Sequence, residues 1–344
     1  MQNDARNSRM ASATPRHPVA RPGLRRRARL LSLLTAPLAV PLAAWLASAP
    51  PATAGELATP LSAYSANDPK LIQQFEKWLG CPVPHLMVFT DQASWEGIGW
   101  PQWFIDQFRA LDRPVLWSVA MIPKHASLKD SATGAYNRYY VSAAQALAKT
   151  KPWPDGTIRV RLGWELNGNW FPWAARGKEK EFVATFRHIV NSFRSVSDKF
   201  RFEWNINYGE SMDPLKAYPG DDYVDIIGMD FYWKHEYLPS DPVKAFEAIR
   251  DNRYGLRFIE DFAAKRGKPT AYSEWGIQGD NAAPFLRMLR DWISQHNVLY
   301  TNYWNHDADY AGLLSSSRWP ASEAAFREAF CPVPGQPAGV TRGP

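Results

Sequence analysis

Eight short runs of apolar, β-branched or aromatic residues alternate with helix-like stretches, and this alternation constrains the fold more than any other feature of the sequence. The runs cover residues 57–64, 85–90, 114–121, 157–165, 201–207, 224–231, 269–274 and 298–304. Strands that alternate with helices pair in parallel through right-handed crossovers. Eight such units in about 290 residues predict an α/β fold, a (β/α)8 TIM barrel that forms a single domain.

An open, doubly wound sheet is the alternative arrangement of the same elements. Such a sheet usually carries a glycine-rich phosphate loop after its first strand, and the sequence has no such loop there. The barrel is therefore favoured. Its helices are expected at residues 69–79, 101–110, 135–148, 178–196, 241–266, 282–295 and 321–330.

The first 54 residues differ in charge from the rest of the chain and predict an export leader. They carry eight arginines and one acidic residue, so the remaining 32 basic and 33 acidic side chains leave a net charge of −1, against +6 for the whole chain. Arginines precede an apolar run over residues 30–49, and Ala52-Thr53-Ala54 offers a cleavage site. We expect a secreted or periplasmic protein; an uncleaved membrane anchor is the alternative.

The near-neutral charge after the leader argues against a nucleic-acid partner. No segment beyond residue 54 is long and apolar enough to span a membrane, so the mature domain is expected outside the membrane, as a monomer. The predicted organisation is a leader over residues 1–54, one catalytic domain over 55–332 and a loose tail over 333–344.

Two cysteines, Cys81 and Cys331, are the only ones in the chain. Export to an oxidising compartment makes a disulfide between them plausible. Cys81 follows the first predicted helix and Cys331 the last, and these helices are neighbours in a closed barrel. A bond there would join the two ends of the barrel, whereas two free, buried thiols are the alternative.

Two glutamates end predicted strands on opposite sides of the barrel mouth, where such folds place their functional side chains. Glu165 ends the fourth strand and Glu274 the seventh. Two carboxyl groups that face each other across a cleft are typical of glycoside hydrolysis. Side chains alternate along a strand, so Arg161 shares the inward face with Glu165, and a salt bridge between these two is the purely structural alternative.

The neighbours of the two glutamates would give them unequal environments. Trp164, Trp170 and Trp173 could desolvate Glu165 and raise its pKa. Tyr232 could donate a hydrogen bond to Glu274 and keep it ionised. Unequal pKa values would let one carboxyl hold a proton while the other stays charged.

The run from Arg161 to Trp173 resembles the signature of glycoside hydrolase family 26, roughly Arg-Pro-x-His-Glu-Met-Asn-Gly-x-Trp followed by an aromatic residue and Trp. The resemblance implies a retaining endo-β-glycosidase, of the endo-β-1,4-mannanase type, with Glu165 as acid/base and Glu274 as nucleophile. It also matches Tyr232 to the tyrosine that contacts the nucleophile, and Trp304 to the aromatic platform under the reacting sugar.

The site is expected to bind a polysaccharide or oligosaccharide without a metal or organic cofactor, and the histidines lack metal-ligand spacing. Trp164 departs from the family pattern, which has His at this position. A β-1,3/1,4-glucan, a xylan or an exopolysaccharide therefore stays open as the substrate, as do transglycosylation and a carbohydrate-binding pseudoenzyme. The residues expected to contact the glycan are Arg161, Trp164, Asn167, Trp170, Trp173, Tyr232, Trp233, Trp275 and Trp304.

Overall fold

The chain forms eight parallel strands with helices between them. The structure is a computed structural model that describes residues 61–209, 211–308 and 310–331. The predicted leader, the predicted tail and the start of the first predicted strand lie outside the described residues. The strands are β1 (Leu61–Tyr64), β2 (Leu86–Phe89), β3 (Val115–Val119), β4 (Ile158–Leu162), β5 (Phe200–Asn207), β6 (Ile226–Tyr232), β7 (Thr270–Gly276) and β8 (Val298–Trp304).

These strands form one sheet in the order β1-β8-β7-β6-β5-β4-β3-β2. The sheet curls until its two edges, β1 and β2, meet, so the predicted (β/α)8 fold is confirmed. Side chains bridge this last seam. The Asn67 amide donates to the Phe89 carbonyl at 2.7 Å and accepts from the Phe89 N–H at 3.0 Å, while the Ser62 hydroxyl donates to the His85 carbonyl at 2.7 Å.

The helices surround the barrel and follow the predicted positions closely. They are α1 (Pro69–Leu79), α2 (Trp95–Gly99), α3 (Gln102–Phe108), α4 (Leu128–Ser131), α5 (Asn137–Leu147), α6 (Glu179–Arg194), α7 (Pro242–Asp251), α8 (Leu256–Ala264), α9 (Ala283–Gln295) and α10 (Pro320–Phe330). The short α2 and α4 were not predicted. The single helix predicted over residues 241–266 is wrong, because the chain turns at Asn252 and restarts as α8 after Gly255.

Apolar stripes on the helices cover the outer face of the barrel. In α6, Phe182, Phe186, Ile189 and Phe193 are fully buried, at the spacing that places side chains on one side of a helix. The Phe193 ring packs edge-on against Phe200 of β5, with ring centres 4.9 Å apart. Such packing holds the helix against the start of the strand that follows it. None of the described helices is long and apolar enough to cross a membrane.

The first and last helices pack against each other, and a disulfide joins their ends. Cys81 lies just after α1 and Cys331 just after α10, with Cα atoms 6.1 Å apart across a sequence separation of 250 residues. The Trp78 indole of α1 donates to Glu323 of α10 at 3.0 Å, and its ring packs 5.8 Å from that of Phe326. The disulfide therefore closes nearly the whole described chain into one loop.

Replacing both cysteines, Cys81→Ala with Cys331→Ala, should lower the free energy of unfolding by about 2–5 kcal/mol, because the unfolded chain regains the entropy of a long open loop. Urea denaturation of the variant and of the oxidised wild type would measure this difference. The reduced wild type is the matched control and should behave like the variant. Equal denaturation midpoints for all three would contradict the stabilising role of the bond.

Candidate active site

A fully buried guanidinium, that of Arg161 on β4, is the centre of the site. It donates to Glu274 of β7 at 2.6 Å and to Asp230 of β6, and its Nε lies 3.8 Å from Glu203 of β5. A buried charge is tolerated only when it is paired and hydrogen-bonded. Arg161 thus ties β4 to three other strands, and the alternative salt bridge with Glu165 does not form. Arg161 has no exposed surface and cannot contact a glycan. The prediction that it does so is therefore wrong.

Glu274 reaches the barrel mouth because β7 contains a bulge. Gly228 of β6 pairs with Ala271, and two residues later Asp230 pairs with Glu274, so β7 has one extra residue between these points. Tyr272, just before the bulge, faces outward and donates to Glu260 of α8 at 2.5 Å. Strict alternation would also turn Glu274 outward. The bulge reverses this direction and aims the carboxyl into the site.

Glu165 lies in the loop after β4, so the prediction that the strand runs to Glu165 is wrong. β4 ends at Leu162, and both Gly163 and Glu165 have a φ of +54°. A Cβ on Gly163 would lie 2.1 Å from the Met121 sulfur, so glycine suits both the space and the backbone here. This left-handed turn, rather than strand alternation, places the Glu165 carboxyl at the barrel mouth.

The two glutamates have different partners. Glu165 accepts hydrogen bonds from the Trp170 indole at 2.6 Å and from the Asn207 amide at 2.5 Å, both neutral donors. Glu274 accepts from the Arg161 guanidinium on one oxygen and from the Tyr232 hydroxyl, at 2.5 Å, on the other. A cationic donor stabilises a carboxylate far more than neutral donors do.

Burial changes the pKa values of Glu165 and of Tyr232. It raises the pKa of Glu165 to about 7, and the nearby Glu274 carboxylate raises it as well. Burial also raises the pKa of Tyr232 well above its usual value, so the tyrosine keeps its proton and acts as a donor. Near neutral pH, Glu165 can therefore hold a proton and give it up.

Three of the predicted glycan contacts line the opening of the site. The Trp170 side chain is 56% exposed beside Glu165. Trp304, at the end of β8, stacks on Tyr64 with ring centres 4.2 Å apart. The Tyr232 ring stands edge-on to Trp304 at 6.4 Å. Aromatic surface thus flanks both glutamates, as a site for sugar rings requires.

Trp233 and Trp275 point the other way, away from the barrel mouth. Both are fully buried. Trp233 stacks on Phe285 of α9 at 5.2 Å, and Trp275 on Phe326 of α10 at 5.8 Å. Each follows an inward-facing residue on its strand, so alternation turns it toward the helices. The prediction that they contact the glycan is wrong.

Trp164, Trp173 and Asn167 shape the loop after β4 from within. Trp164 is 2% exposed and Trp173 fully buried, and their rings pack 4.5 Å apart. Asn167 donates to the Asn207 carbonyl at 2.8 Å and accepts from the Asn207 N–H at 2.7 Å. Their predicted contact with the glycan does not fit this burial: all three hold the loop that carries Glu165.

A polar network under the glutamates was not predicted as part of the site. It consists of the buried Glu203, Asn205 and Asp230 and the partly buried Asn207; the first two and Asn207 lie on β5, and Asp230 on β6. The three on β5 are alternate residues, so they share the inward face of one strand. Polar residues at every second position of an otherwise apolar strand were the available signal. No group of three or more His, Cys, Asp or Glu suited to a metal ion occurs among the described residues.

Comparison with known proteins shows which family part of this site resembles. Residues 120–268, which include Glu165 and Asp230, match the model of glycosyl hydrolase family 26. This match confirms the predicted resemblance and supports the glycoside hydrolase class.

Two curated relatives and one solved structure illustrate the similarity. A mannan endo-1,4-beta-mannosidase of Bifidobacterium adolescentis is 31% identical over 157 residues, 43% of this chain and 15% of that protein. Endoglucanase H of Acetivibrio thermocellus is 29% identical over 179 residues, 48% of this chain and 19% of that protein. The chain thus spans less than a fifth of each relative.

The catalytic domain of a GH26 endo-beta-1,4-mannanase from Bacillus sp. JAMB-750 superposes with a TM-score of 0.58 at 16% identity. The superposition covers 79% of this chain and 86% of the mannanase domain. This similarity extends over most of both chains and shows a common barrel fold.

The raised pKa of Glu165 should make stability depend on pH. Its folded-state pKa is about 7, against 4.5 for an ordinary glutamate, so the unfolded chain loses this proton first as pH rises. The stability that protonated Glu165 contributes is fully present below pH 4.5. At pH 7 this contribution has fallen by about 3 kcal/mol.

The uncharged variant Glu165→Gln isolates this effect, because other carboxyls titrate in both proteins. The free energy of unfolding of the wild type, minus that of the variant, should fall as pH rises from 4.5 to 7. Urea denaturation at several pH values measures it. A difference that stays constant with pH would contradict the raised pKa.

Proposed function

We propose that the protein is a retaining endo-β-glycosidase that hydrolyses a β-1,4-mannan-type polysaccharide. The observation that carries this proposal is the pair of buried carboxyls in unequal environments at the barrel mouth. Glu274, which accepts hydrogen bonds from the Arg161 guanidinium and the Tyr232 hydroxyl, suits the nucleophile. Glu165, with a pKa near 7, suits an acid that gives up its proton at neutral pH.

The reaction would proceed by double displacement. A carboxylate oxygen of Glu274 bonds to the anomeric carbon while the glycosidic C–O bond breaks, and the leaving oxygen takes the proton of Glu165. Glu165, now a carboxylate, then takes a proton from water, whose oxygen bonds to the anomeric carbon and releases Glu274 from the ester. Two inversions at the same carbon retain its configuration.

The aromatic side chains around the glutamates support a polymeric substrate. Trp304, stacked on Tyr64, offers a flat apolar surface next to Tyr232 and so next to Glu274. The exposed Trp170 ring is a second platform, on the side of Glu165, to which its indole donates. A chain of sugars that lies across both platforms would present an internal bond to the carboxyls, which supports endo action.

A β-glucan is the second candidate substrate. One relative is named as a mannan endo-1,4-beta-mannosidase and the other as an endoglucanase, so mannan and glucan both fit the similarity. Trp164 stands where family 26 usually has His, and this departure supports glucan as the second candidate substrate. The arginine-rich leader supports the further inference that the protein is exported and acts on polysaccharide outside the cytoplasm.

Release of reducing ends from a panel of polysaccharides tests the proposal directly. We expect the full-length chain to cleave mannan or glucomannan, with xylan and mixed-linkage glucan as comparisons. Glu274→Ala is the blank. Cleavage of glucan alone would move the assignment to the second candidate, and binding without cleavage of any polymer would favour the pseudoenzyme alternative.

Glu274→Ala should reduce turnover to the level of the blank reaction, because no group remains to form the ester. Sodium azide should restore part of the activity on an activated aryl glycoside by entering the space of the lost carboxylate, giving a glycosyl azide of inverted configuration. Chromatography and NMR of the product would show this. Turnover near the wild-type rate would contradict the assignment of the nucleophile.

Glu165→Ala should slow hydrolysis of the natural polymer by roughly 10²- to 10⁴-fold, because the leaving oxygen no longer receives a proton. A dinitrophenyl glycoside has a leaving group that needs no proton, so formation of the glycosyl-enzyme should stay near the wild-type rate. Stopped-flow measurement of dinitrophenol release tests this split. Equal losses on both substrates would contradict the acid role.

A further inference from the structure

The two glutamates stand at irregular points of the backbone, so the strands alone do not fix the distance between them. Glu165 lies in a left-handed turn after β4, and Glu274 follows the bulge in β7. In both residues the backbone N–H donates to a side chain of a neighbouring strand. The Glu165 N–H donates to the Asn205 oxygen at 3.0 Å, and the Glu274 N–H to an Asp230 oxygen at 3.0 Å.

Asn205 and Asp230 are also bonded to each other. The Asn205 amide nitrogen donates at 2.9 Å to the same Asp230 oxygen that accepts from Glu274. An unbroken path of hydrogen bonds therefore runs from the backbone of one glutamate to the backbone of the other. Asn205 and Asp230 are both fully buried, so water does not compete for these bonds.

The surroundings of Asn205 require an amide at this position. Its oxygen faces two donors, the Glu165 N–H and the Arg161 guanidinium at 3.2 Å, while its nitrogen faces the carboxyls of Asp230 and Glu203, the latter at 3.0 Å. One end must accept and the other must donate. Aspartate would place an oxygen against two carboxyls, and an apolar residue would leave buried groups without partners.

We propose that Asn205 and Asp230 form a brace that sets the separation of the Glu165 and Glu274 carboxyls, and so the stereochemical course of the reaction; this inference rests on the proposed function. Separations of about 5–5.5 Å direct a glycosidase to retention, and about 6.5–9.5 Å to inversion. Neither residue touches the reacting atoms, so both are positioning residues. Their effect is expected in kcat rather than in the binding of substrate.

Asn205→Ala tests the brace, because it removes both bonds that Asn205 makes to the path. Tyr300→Phe is the matched control. Tyr300 is fully buried inside the same barrel and donates to Glu203 at 2.7 Å, so the control removes one bond to the network but none to either glutamate backbone.

For Asn205→Ala we expect kcat on an aryl glycoside to fall roughly 100-fold, as for a misplacement of about 1 Å, with KM changed less than about threefold. We also expect a measurable fraction of inverted product by NMR of the first sugar released. Tyr300→Phe should keep wild-type kcat and full retention. Equal losses in both variants, or a kcat for Asn205→Ala within threefold of wild type, would overturn the brace.

Crystal structures supply a readout that does not depend on turnover. The distance between the Glu165 and Glu274 carboxyls should be larger in Asn205→Ala than in wild type, and unchanged in Tyr300→Phe. An unchanged distance in Asn205→Ala overturns the brace even when the wild type cleaves no polymer, and in that case the proposed function fails separately. If Asn205→Ala does not fold, Asn205→Ser replaces it, because serine fills more of the space but cannot reach both partners.

Discussion

The ion pairs of Arg161 are the constraint on which the rest of the site depends. A guanidinium with no exposed surface sits inside a barrel among Glu203, Asp230 and Glu274. Its buried charge is tolerable only because these carboxyls surround it. β4, β5, β6 and β7 are thereby held at fixed positions around one cation. The positions of the side chains at the barrel mouth depend on this pairing.

The same pairing makes the two glutamates unequal. Arg161 reaches Glu274 directly but donates no hydrogen bond to Glu165, which has only neutral donors. Burial, with the charge of Glu274, outweighs the hydrogen bonds of Trp170 and Asn207 and the charge of Arg161, and the pKa of Glu165 rises to about 7. Two identical side chains thus differ in their environments, as the proposed roles of nucleophile and proton donor require. The proposed double displacement needs this difference.

The order of strands and helices was predictable because their hydrophobic runs are short and regularly spaced. That Glu165 and Glu274 lie near the ends of the fourth and seventh strands was predictable for the same reason, although Glu165 lies in the loop after β4 and not on the strand. Their side-chain directions were not, since a bulge in β7 and a left-handed turn after β4 override alternation. Trp233 and Trp275 were assigned to the cleft because aromatic residues at strand ends fit both a sugar platform and a packed core. Asn205 was missed because its role depends on partners distant in sequence.

The proposed double displacement requires Glu274 to form a covalent bond with the sugar. The most direct measurement is incubation with a 2-deoxy-2-fluoro mannosyl or glucosyl donor that has a good leaving group, followed by mass spectrometry of the peptides. The fluorine slows hydrolysis of the ester, so we expect one added fluorosugar, on the peptide that contains Glu274. A sugar attached to another residue, or turnover of the donor to an inverted product without any labelled peptide, would contradict the proposed role of Glu274 as nucleophile.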